Sequence, residues 1–207
     1  MARSAPILAV HPDNPEPRKI KKIIADLNSE PGGIIAYPTD ATYSLGCDLN
    51  DRDAIERLYQ VKGLPRQQML ALMCLDLSDI ARYASVDNRA YRLLRRLLPG
   101  PYTCILPATR EVPKIVAQKR QQIGIRVPSA EIPRALAREL TRPLLATTCG
   151  PHGGDPLQWP EEIAARFPQL RCVIDGGPGG LVPTTVIDLT GDEPVLVREG
   201  AGDPGVI

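Results

Sequence analysis

The chain has 207 residues, a formal net charge of +1, 43% hydrophobic residues and 24% charged residues. That length supports one sizeable core and is short for two. The balance excludes a wholly disordered chain, and no global field demands a nucleic-acid partner. One Trp and one Phe leave the core to Ile, Leu, Val and Ala. Cys47, Cys74, Cys104, Cys149 and Cys172 are odd in number and form no C-x-x-C, which argues against a disulfide framework and against zinc. No apolar run is long enough to span a membrane, and residues 1–20 lack a signal core, so a cytoplasmic protein without a membrane partner is expected.

In chain order, short runs rich in β-branched residues alternate with helical patterns. They predict a strand over 7–11, a helix over 16–29, a strand over 33–37, a helix over 51–61 and a strand over 70–74. Helices over 77–84 and 87–98 follow, then strands over 102–106 and 122–127 and a helix over 131–140. A strand over 144–147, a helix over 160–167 and strands over 171–174, 184–189 and 194–198 complete the chain. Asn50 is expected to cap the 51–61 helix and Gly63 to stop it, which places Lys62 at a helix end. Ser129 is the expected cap of the helix over 131–140. The last two strands, TTVIDL and PVLVR, read as an antiparallel hairpin, so the sheet is expected to be mixed. No internal repeat or long linker divides the chain, and a single domain over 1–207 is expected.

The glycine run DGGPGG at 175–180 follows a strand, but it leads into LVPTTVIDL and not into a helix. It therefore lacks the helix N-terminus that holds a pyrophosphate, and reads as a wide turn. His11 ends a strand before Pro12 and reads as structural. Cys149 and His152 are three apart in a polar loop, with no third orienting group, and no nucleophile is assigned. No spacing matches a metal site.

A distributed set is stronger. Thr39 and Tyr43 lie near one strand end, and Lys62 and Arg66 flank the turn in KGLPR. Arg126 ends QIGIR, Thr147 and Thr148 end LLATT, Thr184 and Thr185 open TTVIDL, and Arg198 ends PVLVR. Hydroxyls and isolated cations at element ends suit carboxylate and phosphate: arginine offers a fork, lysine a point charge. Three basic groups, Arg18/Lys19/Lys21/Lys22, Arg89/Arg92/Arg95/Arg96 and Arg110/Lys114/Lys119/Arg120, would form an RNA-binding rim if they converge.

The stretches GGIIAYPTDATYSLG (32–46), YQVKGLPR (59–66), LLPGPYTCIL (97–106), IGIRVPS (123–129), RPLLATTCG (142–150), TTVIDL (184–189) and VLVREG (195–200) resemble, in order, the YrdC/YciO family. That family includes the threonylcarbamoyl-adenylate synthases. The resemblance covers about residues 30–200 and looks closest to the YciO branch through ASVDNRAYRLL, REVPK and PTTVIDLT. It implies an α/β fold: an open, twisted mixed sheet flanked by helices, with one large concave cavity. It implies a nucleotidyltransferase reaction that joins L-threonine, bicarbonate and ATP, the last a substrate with Mg²⁺, for modification of a tRNA adenosine with other proteins. By position, Thr39, Arg126 and Thr184 match threonine-binding sites. Lys62, Arg66, Thr148 and Arg198 match ATP-binding sites. Double-stranded RNA or tRNA is an implied partner.

The chain departs from the synthase pattern. Leu64 replaces the second basic residue of Lys-Gly-Arg, and Thr148-Cys149-Gly150 replaces Ser-Ala-Asn. Ala41 replaces the last Thr of Thr-Glu-Thr, and Met73 stands where a His is usual. The extra C-terminal domain of longer synthases is not expected. These changes point to weak activity or an altered substrate. The alternative is an RNA- or nucleotide-binding protein on the same fold without this activity.

Overall fold

The computed structural model describes residues 4–66, 68–117 and 121–207. Its ten strands form one mixed sheet. In chain order the elements are β1 (Ile7–Ala9), α1 (Pro17–Leu27), β2 (Ile35–Tyr37), β3 (Ser44–Asp48), α2 (Arg52–Lys62) and β4 (Ala71–Met73). Then come α3 (Leu77–Tyr83), α4 (Asn88–Leu97), β5 (Tyr102–Pro107), α5 (Lys114–Ala117), β6 (Gln122–Arg126), α6 (Glu131–Leu140) and β7 (Leu144–Thr148). The chain closes with α7 (Pro160–Arg166), β8 (Cys172–Asp175), β9 (Thr185–Asp188) and β10 (Val195–Arg198). The strand order is β1-β8-β2-β3-β7-β4-β6-β5-β9-β10, with parallel and antiparallel pairs. The closing hairpin is antiparallel, with a register shift between Leu196 and Arg198.

Alternation along the strands assigns two faces, because successive side chains point to opposite sides. Ile34, Ala36, Leu45, Cys47, Leu72, Cys104, Leu106, Ile123, Ile125, Leu145, Val173 and Ile187 belong to one core. Helices α2, α3, α4, α5 and α7 bury residues in it, among them Leu58, Ile80, Leu94, Val116 and Ile163. The opposite face carries Ile35, Tyr37, Met73, Leu144, Ala146, Cys172 and Ile174, covered by α1 through Ile20, Ile23 and Leu27 and by α6 through Ile132, Leu136 and Leu140. Two helices cannot cover ten strands spaced about 4.8 Å apart. Part of that face is therefore left open, from β3, β7 and β4 across β6, β5, β9 and β10, and the cavity lies there.

The caps differ from expectation in two places. Asp51, not Asn50, caps α2: its Oδ1 accepts from Ala54 N–H, and its Oδ2 accepts from Gly32 N–H. Asn50 N–H instead donates to Asp48 Oδ1. A carboxylate one residue later outcompetes the amide because it accepts both donors at once. Gly63 stops the helix at φ +68°, as expected of a left-handed cap. At α6 the N-cap is Ala130 without a side-chain bond, because Ser129 is turned to Asp40. Asp51→Ala, which loses both bonds, is expected to lower the unfolding free energy by about 1–2 kcal/mol in urea titration. Asn50→Ala is expected to change it much less.

One strand went unpredicted. β3 lies between the expected strand over 33–37 and helix over 51–61, where no strand was expected, and all five of its residues are buried. The glycine run at 175–180 is a turn between β8 and β9; Gly176, Gly179 and Gly180 serve close packing, while Gly177 takes φ +96°. A Cβ on Gly180 would fall 2.0 Å from the carbonyl oxygen of Ala41, and one on Gly179 would fall 2.6 Å from the Tyr43 ring. All five cysteines are free and buried. No helix among the described residues is long and apolar enough to cross a membrane.

Candidate functional site

The open part of the α1/α6 face holds a cavity of about 490 Å³. Its floor is made by small and apolar residues that project from alternate strand positions: Ala71, Ile105, Gly124, Ala146 and Val186. Its polar wall comes from strand ends: Arg126, Thr147, Thr148, Thr184 and Arg198, with Ser44 and Thr103. In β5 the burial pattern alternates strictly, so Thr103 faces the cavity between Tyr102 and Cys104, which face the core.

Of the residues singled out from the sequence, Arg126, Thr148, Thr184 and Arg198 line this one cavity. Thr39 lies at its edge through Arg126: the guanidinium Nη2 is 3.4 Å from Thr39 Oγ1, and that hydroxyl donates to Thr42 O at 2.7 Å. Thr185 points away, donating to the Gly202 carbonyl. Arg66 is exposed.

Lys62 does not project into the cavity as expected. It is only 9% exposed, and its Nζ donates to the carbonyl oxygens of Gly150 and Pro151 (3.4 Å to the latter) in the loop after β7. Burial lowers its pKa, with the neighbouring Cys149 acting in the opposite sense. The loop after β7 turns over the helix-end lysine and brings these carbonyls to it, with Pro151 O also accepting from Gly154 N–H at 3.3 Å. The same contacts dispose of the cysteine–histidine pair. Cys149 is fully buried with its thiol pushed up to about 12 by desolvation, while His152 is exposed. His11 is structural: its Nδ1 accepts from Asp13 and Asn14 N–H.

Arg126 is held from behind. Its Nη2 donates to Asp40 Oδ1 at 2.8 Å, and both side chains are 8% exposed. Asp40 Oδ2 accepts from the backbone and hydroxyl of Ser129. Desolvation lowers the Arg126 pKa, and Asp40 raises it back in part. Arg126 Nε and the Tyr37 hydroxyl are buried and find no partner among the described residues. Arg198 hooks the opposite wall, donating from Nε and Nη2 to the Thr184 carbonyl at 3.2 and 2.8 Å.

The sequence reading missed the role of Asp40, and it missed Ser44 and Thr103. The alternation in YTCIL was the available signal for Thr103. Met73, where a histidine is usual, is fully buried on the core beside the cavity, and Leu64 packs against the other core. The basic groups of α1 and α4 do not converge: they lie on opposite sides of the sheet, because α1 packs on one core and α4 on the other. Lys119 and Arg120 lie outside the described residues. No group of three or more His, Cys, Asp or Glu among the described residues could hold a metal ion.

The Sua5/YciO/YrdC family, described as "Telomere recombination", matches residues 28–200. The chain is 46% identical over 197 residues to the uncharacterized protein YciO of Escherichia coli K12, covering 94% of this chain and 95% of that one. The crystal structure of E. coli YciO superposes with a TM-score of 0.92 at 44% identity, covering 98% of both chains. The threonylcarbamoyl-AMP synthase of Halorhodospira halophila is 31% identical over 180 residues, covering 86% of this chain and 93% of that one. Pyrococcus abyssi Sua5 complexed with L-threonine superposes with a TM-score of 0.86 at 30% identity, covering 94% of this chain and 57% of that one. The chain, with its half-covered ten-stranded sheet and strand-end cavity, belongs to the Sua5/YciO/YrdC family.

Proposed function

We propose that this chain forms threonylcarbamoyl-AMP and pyrophosphate from L-threonine, bicarbonate and ATP, for modification of a tRNA adenosine. The observation that carries this reading is the placement of Arg126, Thr184, Thr148 and Arg198 on one cavity of about 490 Å³. Two relatives support it: the Halorhodospira halophila protein, named a threonylcarbamoyl-AMP synthase, and the Pyrococcus abyssi Sua5 structure, which holds L-threonine.

The chemistry asks for alignment more than for a nucleophile. The threonine amine adds to bicarbonate with loss of water, and a carbamate oxygen then displaces pyrophosphate from the α-phosphorus. Arg126 offers its guanidinium to the threonine carboxylate, with Thr39 and Thr184 beside it. Arg198 and Thr148 face the nucleotide; Lys62, on leaving the Gly150 or Pro151 carbonyl, and the exposed Arg66 reach its phosphates from the loop side. Mg²⁺ enters with the triphosphate as part of the substrate. Juxtaposition and charge neutralisation in a half-enclosed cavity supply the rate.

The test is pyrophosphate release from Mg·ATP with bicarbonate, offering each amino acid in turn. Threonine-dependent release is expected. A second reading, a nucleotide-binding protein without this chemistry, is favoured by Lys62 being held on carbonyls and by Met73 in the core. ATP binding without release in the presence of any amino acid would establish it.

A further inference from the structure

Thr184 stands at the junction of two groups with different tasks. Its hydroxyl is 2.7 Å from the Thr103 hydroxyl, and it also lies 3.4 Å from Arg198 Nη2. Its carbonyl is clamped by the same arginine. Both threonines line the cavity, Thr184 the more buried of the two. Thr103, Thr184 and Arg198 thus form one hydrogen-bonded chain, which runs from β5 across the start of β9 to the end of β10.

A hydroxyl has one proton and two lone pairs. Arg198 can only donate, so it occupies a lone pair of Thr184 Oγ1. Two arrangements of the hydroxyl pair remain. With Thr184 donating to Thr103, Thr184 has no proton left for a ligand. With Thr103 donating to Thr184, both Thr184 lone pairs are used and its proton is free to donate to an anion in the cavity. A carboxylate at Thr184 selects the second arrangement. That arrangement also fixes the hydroxyl oxygen against Arg198 and so holds the guanidinium in one position. A phosphate group that orients Arg198 acts on Thr184 by the same bond in reverse.

We infer that Thr103 is a positioning residue that, through Thr184 and Arg198, couples the amino-acid end of the cavity to its nucleotide end, so that each ligand binds more tightly when the other is present. This rests on the assignment of Thr184 to the amino acid and Arg198 to the nucleotide given above. Coupling of this kind is reciprocal: the factor by which nucleotide strengthens threonine binding equals the factor by which threonine strengthens nucleotide binding.

The experiment is calorimetric titration of L-threonine with and without the α,β-methylene analogue of ATP, and of the analogue with and without threonine. It is run on wild type, Thr103→Val and Thr103→Ser, with thermal melting as the folding control. In wild type the two coupling factors are expected to be equal and above one. In Thr103→Val, threonine affinity is expected to fall by about three- to tenfold, the worth of one net hydrogen bond, and the coupling factor to approach one. Thr103→Ser keeps the hydroxyl and is expected to restore both. A general loosening of the wall would lower both affinities and leave the coupling factor in place, which overturns the inference. So does wild-type coupling that survives in Thr103→Val, or a serine variant as impaired as the valine one. Wild type that binds neither probe removes the functional reading and this inference together. Wild type that binds both independently overturns this inference alone.

Discussion

Asp40→Ala is expected to lower the unfolding free energy by about 3–5 kcal/mol, the largest stability loss expected from any one polar side chain in the cavity wall. Asp40 and Arg126 are each 8% exposed and joined by a 2.8 Å bond. Removing the carboxylate leaves a guanidinium that stays charged at any working pH, buried beside Met73 in the neighbouring strand. Arg126 Nε finds no partner among the described residues even in the wild type, so the variant has little with which to compensate. The Ser129 backbone and hydroxyl lose their acceptor as well. Asp40→Asn keeps one oxygen, which can serve Arg126 or Ser129 but not both, and is expected to fall between wild type and alanine. Arg126→Met removes the charge itself, so the double variant with Asp40→Ala is expected to lose less stability than Asp40→Ala alone. Urea titration of the four proteins forms the cycle. An Asp40→Ala protein within 1 kcal/mol of wild type would show that the pair carries no such burden.

Much of the fold is legible in the sequence because it follows from short-range periodicity. The helices at α1, α2, α4 and α6 announce themselves by apolar stripes, and β5 by its alternation. β3 is not legible, since the alternation of Leu45 and Cys47 with Ser44, Gly46 and Asp48 is short, holds no β-branched residue and is broken by a glycine. Its character comes from lying in the middle of the sheet between β2 and β7, where a Gly46 without a Cβ makes room for Tyr37, whose ring would lie 2.7 Å from that atom. Asp40 is not legible as the partner of Arg126, because 86 residues separate them and only the sheet order brings them together. Lys62 shows the opposite limit. Its place at a helix end was read correctly, yet where its amine points depends on a loop 88 residues away. The α4 arginines were readable as an exposed stripe. Their separation from α1 was not, since nothing in a single helix says which face of the sheet it will cover.

Lys62→Ala is expected to weaken Mg·ATP binding by about tenfold to a hundredfold, the roughly 1.5–3 kcal/mol of one charge-assisted bond to phosphate. The same ammonium holds Gly150 O and Pro151 O, so it has to leave at least one of them to reach a phosphate. The alanine variant is therefore expected to show a second change: faster amide hydrogen exchange over residues 150–154, present without any nucleotide. Wild type is expected to approach that exchange pattern only when ATP is added. The burial that lowers the Lys62 pKa also sets the pH dependence. The ammonium deprotonates at a lower pH than a free lysine would, so wild-type affinity for ATP should decline on raising the pH earlier than for a site built on an exposed lysine, and the alanine variant should lose that decline. Leu64→Arg tests the neighbouring position. Leu64 packs against the core, so an arginine there has to swing out at some cost in packing before it can add a fork to the phosphates. Its expected gain in affinity is accordingly smaller than the loss in Lys62→Ala. If Lys62→Ala binds Mg·ATP as tightly as wild type while its loop exchanges faster, Lys62 is a fastener of the loop alone, and the phosphates lie at the Arg198 end of the cavity.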